Sequence, residues 1–274
     1  MVAVLLSSSS IDTNSIHAWQ KERDARLRSP DGWLTLVGLF WLKEGSNTIG
    51  SAEGNDFVLP KTAAAHVGTL RLMHNKVTYQ DAQGNARSLS FDAEKPDVVK
   101  SGTVSFYVIQ RGDKFAVRAK DSESAALRQF TGMHYFPINP SLRFEAKFIP
   151  DPKKIPILNI VGQTDLEESP GVVEFSYQGQ TYRLRPIYED KTLYFLFKDA
   201  TNRTQTYQAG RMLNTPLPKD GKVDLDFNRS YNPPCTFTPY ATCPLPPKEN
   251  TLSFAVNAGE LRYGHGHPEL TASR

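Results

Sequence analysis

Apolar residues in this chain mostly alternate with polar ones, the period of a half-buried strand, and only one stretch keeps helical spacing. In residues 12–28, Ile16, Trp19, Arg23 and Leu27 fall on one helical face. Asp12 or Asn14 can cap that helix, and Ser29-Pro30-Asp31-Gly32 ends it with turn chemistry. The next residues, WLTLVGLFWLKEG, are apolar on both faces and predict a buried strand broken at Gly38. Short β-like runs follow: NTIG, DFVL, GTLRLM, KVTYQD and ARSLSFD. TVSFYVIQRGDKFAVRAKD predicts a hairpin turning at Arg111-Gly112-Asp113. Residues 122–132 change texture and predict a short helix or turn.

Beyond a rigid Phe136–Pro140 connector, LRFEAKFI predicts a strand and PDPKKIPIL a basic, proline-rich lead into paired runs. VVEFSYQGQTYRLRPIYED predicts a hairpin around Gln178-Gly179-Gln180, and TLYFLFKDATNRTQTYQAGRML one turning at Asn202-Arg203. TLSFAVNAGELRY predicts a closing strand, and GHGHPELTASR a frayed tail. No fixed period repeats, which argues against a solenoid or propeller. The expected fold is mostly β: two packed β-sandwich or barrel-like units with a short N-terminal helix. The expected division is a disordered tail over 1–11, the helix over 12–30, a first sandwich over 31–121 and a second β-domain over 122–274.

The stretch 228–250 stands apart from the alternating pattern. It holds both cysteines, Cys235 and Cys243, and six prolines. Proline fixes φ and forces its predecessor into extended backbone, so the loop is stiff without being helix or strand. Such a loop suits the wall of a small-molecule pocket, with Tyr231, Asn232 and Tyr240 orienting a polar ligand. A plug closing a barrel end, its polar groups satisfying local backbone, is the equal alternative. Arg143 and Arg211 are candidates for gripping an anionic group through their guanidinium forks, with internal ion pairing as the competing reading. Asn228 joins the binding set, and Asp226 is the candidate general base or hydrogen-bond acceptor.

Composition narrows the function classes. The chain has 274 residues and a formal net charge of +3, with no dense basic block, so nucleic acid is not an expected partner. The longest apolar run, residues 33–42, is too short to cross a bilayer. With no basic region before its short apolar patch, the N-terminus reads as a tail rather than an export signal, and a cytoplasmic location follows. The cysteines then read as reduced thiols, with a single bridged loop as the alternative. Their eight-residue separation does not fit common zinc knuckles, and His66, His74, His134, His265 and His267 form no ligand pattern. No metal is therefore expected. Nucleotide-loop, dinucleotide-fold and serine-elbow motifs are absent, so no cofactor is expected either.

Five blocks carry a family resemblance that spans nearly the whole chain: GWLTLVGLFWLKEGSNTIGS, RAKDSES, YFPINPSLRFEAKF, LFKDATNRTQTYQAGRML and LDFNRSYNPPCTFTPYATCPLPPKEN. By these the chain is identified as a member of the DUF1684 family, which implies no catalytic residues. Residues 45–90 also resemble the first half of a forkhead-associated (FHA) β-sandwich. That pattern wants an arginine where Ser51 stands and a serine where Ala63 stands, so phosphothreonine reading is not expected. The function expected is a binder of a polar small molecule, an anionic one if the arginines converge on the loop, or a hydrolase-like enzyme, with its site at the proline-rich loop of the second β-domain. The alternative is a non-catalytic interaction or scaffold module that uses the FHA-like sheet to hold a protein partner.

Overall fold

A computed structural model describes residues 12–264. The tail read over 1–11 and the two C-terminal histidines, His265 and His267, lie outside the described residues. The chain is mostly β, and no helix among the described residues is long and apolar enough to cross a membrane.

Helix α1 (Thr13–Leu27) starts where Asp12 accepts hydrogen bonds from the Asn14 and Ser15 amides, an N-cap. Ile16 and Leu27 are buried, with Trp19 and Arg23 half-buried.

Nine strands follow. Strand β1 (Leu36–Trp41) pairs with β9 (Lys114–Asp121), which pairs with β8 (Val104–Arg111) and through it β7 (Val99–Ser101). A second sheet takes the order β3 (Phe57–Val58), β2 (Gly45–Gly50), β4 (Gly68–Met73), β5 (Lys76–Asp81), β6 (Ala86–Ser88). The two sheets face each other across one apolar cluster, with Ile49, Leu70 and Val77 meeting Phe106, Phe115 and Val117. Ser51 donates to the carbonyl of Ala63 at 2.8 Å, so these positions bond each other.

After helix α2 (Ala125–Gln129), capped by Ser124, come two more sheets. One has the order β12 (Gln180–Leu184), β11 (Thr164–Tyr177), β10 (Arg143–Leu158), β16 (Lys222–Asp226). The other is β13 (Ile187–Glu189), β14 (Thr192–Phe197), β15 (Arg211–Pro216). Strand β14 reads as unbroken apolar sequence because both its faces are buried. Leu193, Phe195 and Phe197 join one core with Val173, Phe175 and Phe227, while Tyr194 and Leu196 turn to Ile155, Ile157 and Met212.

Both expected tight hairpins form. Arg111 pairs with Lys114 around Gly112 and Asp113, and Tyr177 pairs with Gln180 around Gln178 (φ 51°) and Gly179 (φ 78°). Other elements differ from the sequence reading. PDPKKIPIL is no connector, because it continues β10 to Leu158. β10 pairs with β16 only over 143–147, so its prolines lie where one side of the strand has no ladder partner, and the register shifts between Pro150 and Lys153. β14 and β15 do pair, but through a thirteen-residue connection, 198–210, folded on its own hydrogen bonds rather than through a tight turn at Asn202-Arg203. Residues 251–263 form no strand. They keep only isolated bridges, Thr251 with Lys198 and Glu260 with Tyr135, because their apolar side chains fill gaps beside the second core instead of joining a sheet.

Candidate functional site

The proline-rich loop is packed inward rather than displayed. Cys235 and Cys243 are joined in a disulfide, which corrects the reduced-thiol reading. The cross-link packs with Tyr207, Ala241 and Trp33. Where the disulfide, α1 and the first sandwich meet β13–β15, they enclose a cleft of about 890 Å³, within the range of ligand sites. The loop supplies one wall with Tyr231, Asn232, Thr242 and Pro244. A hollow of about 10 Å³ behind the disulfide holds no more than a water.

One end of the cleft is an arginine pole. β9 alternates, so Phe115, Val117 and Ala119 enter the sandwich core and Arg118 faces the other way. Arg118 is only 6% exposed, and its ring neighbour is Trp33, 5.4 Å from guanidinium to centroid. Arg111, at the end of β8, donates through Nε to Thr242 Oγ1 at 3.1 Å. Arg118 Nη2 reaches the same oxygen at 3.5 Å, and its Nη1 reaches Tyr107 Oη at 3.5 Å. Both are at the long limit of a hydrogen bond. Arg118 Nε is buried with no partner. Among the described residues neither arginine forms an ion pair. Burial, then the Arg118 charge, pull the Arg111 pKa down, with Asp165 opposing from beyond pairing distance.

The other end carries phenols and acids. Tyr194 is 6% exposed, lines the cleft and has a hydroxyl with no hydrogen-bond partner among the described residues. Tyr231 donates to Asn214 Oδ1 at 2.5 Å, beneath the Arg23 guanidinium 4.8 Å from its ring centroid. Burial raises the pKa of both phenols, so both remain donors where an exposed tyrosine would ionise. Glu189 stays accessible to solvent, yet partial desolvation, then Asp190 and Glu167, push its carboxyl upward.

The phenols set an alkaline limit on stability. A raised folded-state pKa contributes stability that is complete below the unfolded value of about 10 and is lost as pH rises through the folded value. Tyr194→Phe is therefore expected to flatten the fall in unfolding free energy between about pH 9 and 12, measured by urea melts across that range. An unchanged slope would remove Tyr194 from the account.

The sequence candidates are dispersed. Tyr231 and Asn232 line the cleft. Asn232 is held there by Glu260, which accepts from its backbone N and its Nδ2 at 2.7 and 3.0 Å, and its Oδ1 is buried without a partner. Gly259 sets up that contact: at φ 77°, a Cβ there would lie 2.4 Å from the Ser230 carbonyl. The remaining candidates line no part of the cleft. Arg143 is bidentate to Asp224 at 2.8 Å, and Arg211 is enclosed with Asp199 at 2.9 Å, so both arginines are already neutralised. Asp226 caps a 3-10 turn and accepts from Asn228 N and Nδ2, which leaves it no reach to a ligand. Asn228 clamps the connector through Asn139 N and O. Tyr240 is 37% exposed on the outer side of the loop. Sequence reading missed Arg111, Arg118, Glu189 and Tyr194. The available signal was the polar Arg118 at an alternating position of a strand with two buried faces.

A mostly β chain of packed sheets, with a disulfide-stapled loop walling a cleft, is the class that fold and site define. The chain belongs to the family described as "Protein of unknown function (DUF1684)", which it matches over residues 128–261. The match takes in the loop, Glu189 and Tyr194, and ends short of Arg111 and Arg118. The chain is also similar to an uncharacterized protein of Haloarcula marismortui solved by solution NMR, at 31% identity over 49% of this chain and 78% of that one, with a TM-score of 0.42. No protein of curated function matches it.

Proposed function

We propose that this protein binds a small anionic molecule, a phosphate or carboxylate, at the arginine pole of the cleft. The observation that carries the reading is Arg118, a guanidinium nine-tenths buried without a carboxylate, beside a second unpaired arginine and a shared hydroxyl. Buried charge is costly unless neutralised, so two arginines held together with no acid in pairing distance are a place where an incoming anion gains most. Guanidinium forks suit the oxygens of both head groups.

A structural role for Arg118, resting on Trp33, predicts that removing it destabilises the chain. A binding role predicts the reverse: Arg118→Met keeps or raises the melting temperature, since no carboxylate is orphaned, and weakens inorganic phosphate or pyrophosphate binding by at least about tenfold. Calorimetric titration of both proteins tests this. Wild-type affinity in Arg118→Met, or no anion binding to the wild type, overturns it. The scaffold alternative needs a broad exposed apolar face on the first sandwich. The large apolar side chains exposed there, Val58, Met73 and Val98, belong to separate segments, which is ordinary for a protein surface.

A further inference from the structure

The far end of the cleft has unfilled bonding capacity of a different kind. Tyr194 is nine-tenths buried in the cleft wall, and its hydroxyl bonds no protein group among the described residues while its oxygen stays open to the cleft. Glu189 and Asp190, at the β13–β14 turn, also line it, and neither carboxylate has a side-chain hydrogen bond or ion pair among the described residues. Asn214 spends its Oδ1 on Tyr231 and reaches Thr192 through Nδ2 only at 3.3 Å. Carboxylates, an amide and a phenol, with Trp19 on the same lining, form a surface that accepts from and donates to closely spaced hydroxyls.

Taken with the arginine pole, on whose reading this step rests, the geometry points to an anionic sugar as the ligand: a phosphate or carboxylate on Arg111 and Arg118, with its hydroxyls read by Tyr194, Glu189 and Asn214. A bare anion on the arginines would leave the Tyr194 hydroxyl and the Glu189 and Asp190 carboxylates to water. A nucleotide would bring a flat base to a wall where the Glu189 and Asp190 carboxylates share the lining with Arg23, Arg26 and Arg229, donors and acceptors interleaved. A polyhydroxylated body answers both conditions, because each hydroxyl donates to a carboxylate and accepts from the phenol. The Tyr194 and Tyr231 phenols stay protonated well into the alkaline range, which keeps Tyr194 a donor and Tyr231 fixed on Asn214.

The test compares inorganic phosphate, glucose 6-phosphate, glucuronate and AMP by titration calorimetry on the wild type, Tyr194→Phe and Arg118→Met. Tyr194→Phe removes only a hydroxyl that bonds nothing in the protein, so its melting temperature should match the wild type. Glucose 6-phosphate, glucuronate or both should bind the wild type at least about tenfold tighter than inorganic phosphate, and Tyr194→Phe should erase that margin while leaving phosphate unchanged. Which sugar gains the margin separates phosphate from carboxylate head groups. Equal affinities for the sugars and phosphate, a margin that survives Tyr194→Phe, or tighter binding of AMP would each overturn the sugar proposal while leaving the anion site standing. Absence of any phosphate binding, or binding indifferent to Arg118→Met, would overturn both.

Discussion

Replacing Arg211 with methionine is expected to lower the unfolding free energy by about 3–5 kcal/mol, the usual result of removing one partner from a buried ion pair. Arg211 is 1% exposed. Its Nη2 bonds Asp199 Oδ2 at 2.9 Å and the Val256 carbonyl at 2.7 Å, and its Nη1 bonds the Ala258 carbonyl. Asp199 in turn accepts from Thr201 and from the Val256 amide. The pair therefore ties the start of β15 to the long β14–β15 connection and to the strandless segment after the proline-rich loop. Burial lowers the Arg211 pKa, and Asp199 works against it. Methionine fills the volume but leaves the Asp199 charge and two carbonyls stranded. Arg211→Lys, which keeps the charge and loses the fork, should fall between the two. Equilibrium urea unfolding measures all three, and a loss under about 1 kcal/mol in Arg211→Met would show that the pair is not holding these segments.

Glu260→Ala should cost a similar amount, about 3–5 kcal/mol, and should loosen α1. Glu260 is fully buried, accepts from Arg23 at 2.8 Å, and accepts from the backbone N and the Nδ2 of Asn232, whose Nδ2 also donates to the Leu261 carbonyl. It is the joint between the N-terminal helix and the proline-rich loop. Burial alone would lower the Arg23 pKa, but the Glu260 charge and hydrogen bond raise it overall. Adding Arg23→Met to Glu260→Ala removes the stranded cation, so the double variant should be less damaged than the sum of the singles. Additive losses in a double-mutant cycle, or an α1 as protease-resistant in Glu260→Ala as in the wild type, would argue against this joint.

These two side chains show where sequence reading stops. Local chemistry was legible. The turns at Gly112-Asp113 and Gln178-Gly179 declare themselves by residue type, and alternation in β8, β9, β11 and β12 marks their buried faces. Prolines in β10 were misleading, because a proline is barred from a strand only where its missing N–H is needed, and the absent partner β16 lies about 70 residues on. The closing strand was misread for a related reason, since apolar residues at 251–263 fill a core without pairing. At the site, the loop was legible from its prolines and aromatics. The arginines were not, because a guanidinium without a carboxylate partner and one already neutralised have the same sequence. Asp224 settles Arg143 and Asp199 settles Arg211, while Arg111 and Arg118 share no carboxylate partner and meet at Thr242, some 130 residues away.

The disulfide gives that hydroxyl a redox address. Thr242 is the residue before Cys243, so the oxygen shared by Arg111 and Arg118 is fixed to one end of the cross-link. In an oxidising compartment the bond persists, and the arginine pole is assembled before any ligand arrives. In a reducing cytosol, where such cross-links are rare, the six prolines alone would have to keep the loop in shape if the bond were absent. Where the protein resides thus bears on whether Thr242 is held beside the two arginines by a covalent cross-link or by the stiffness of the prolines alone.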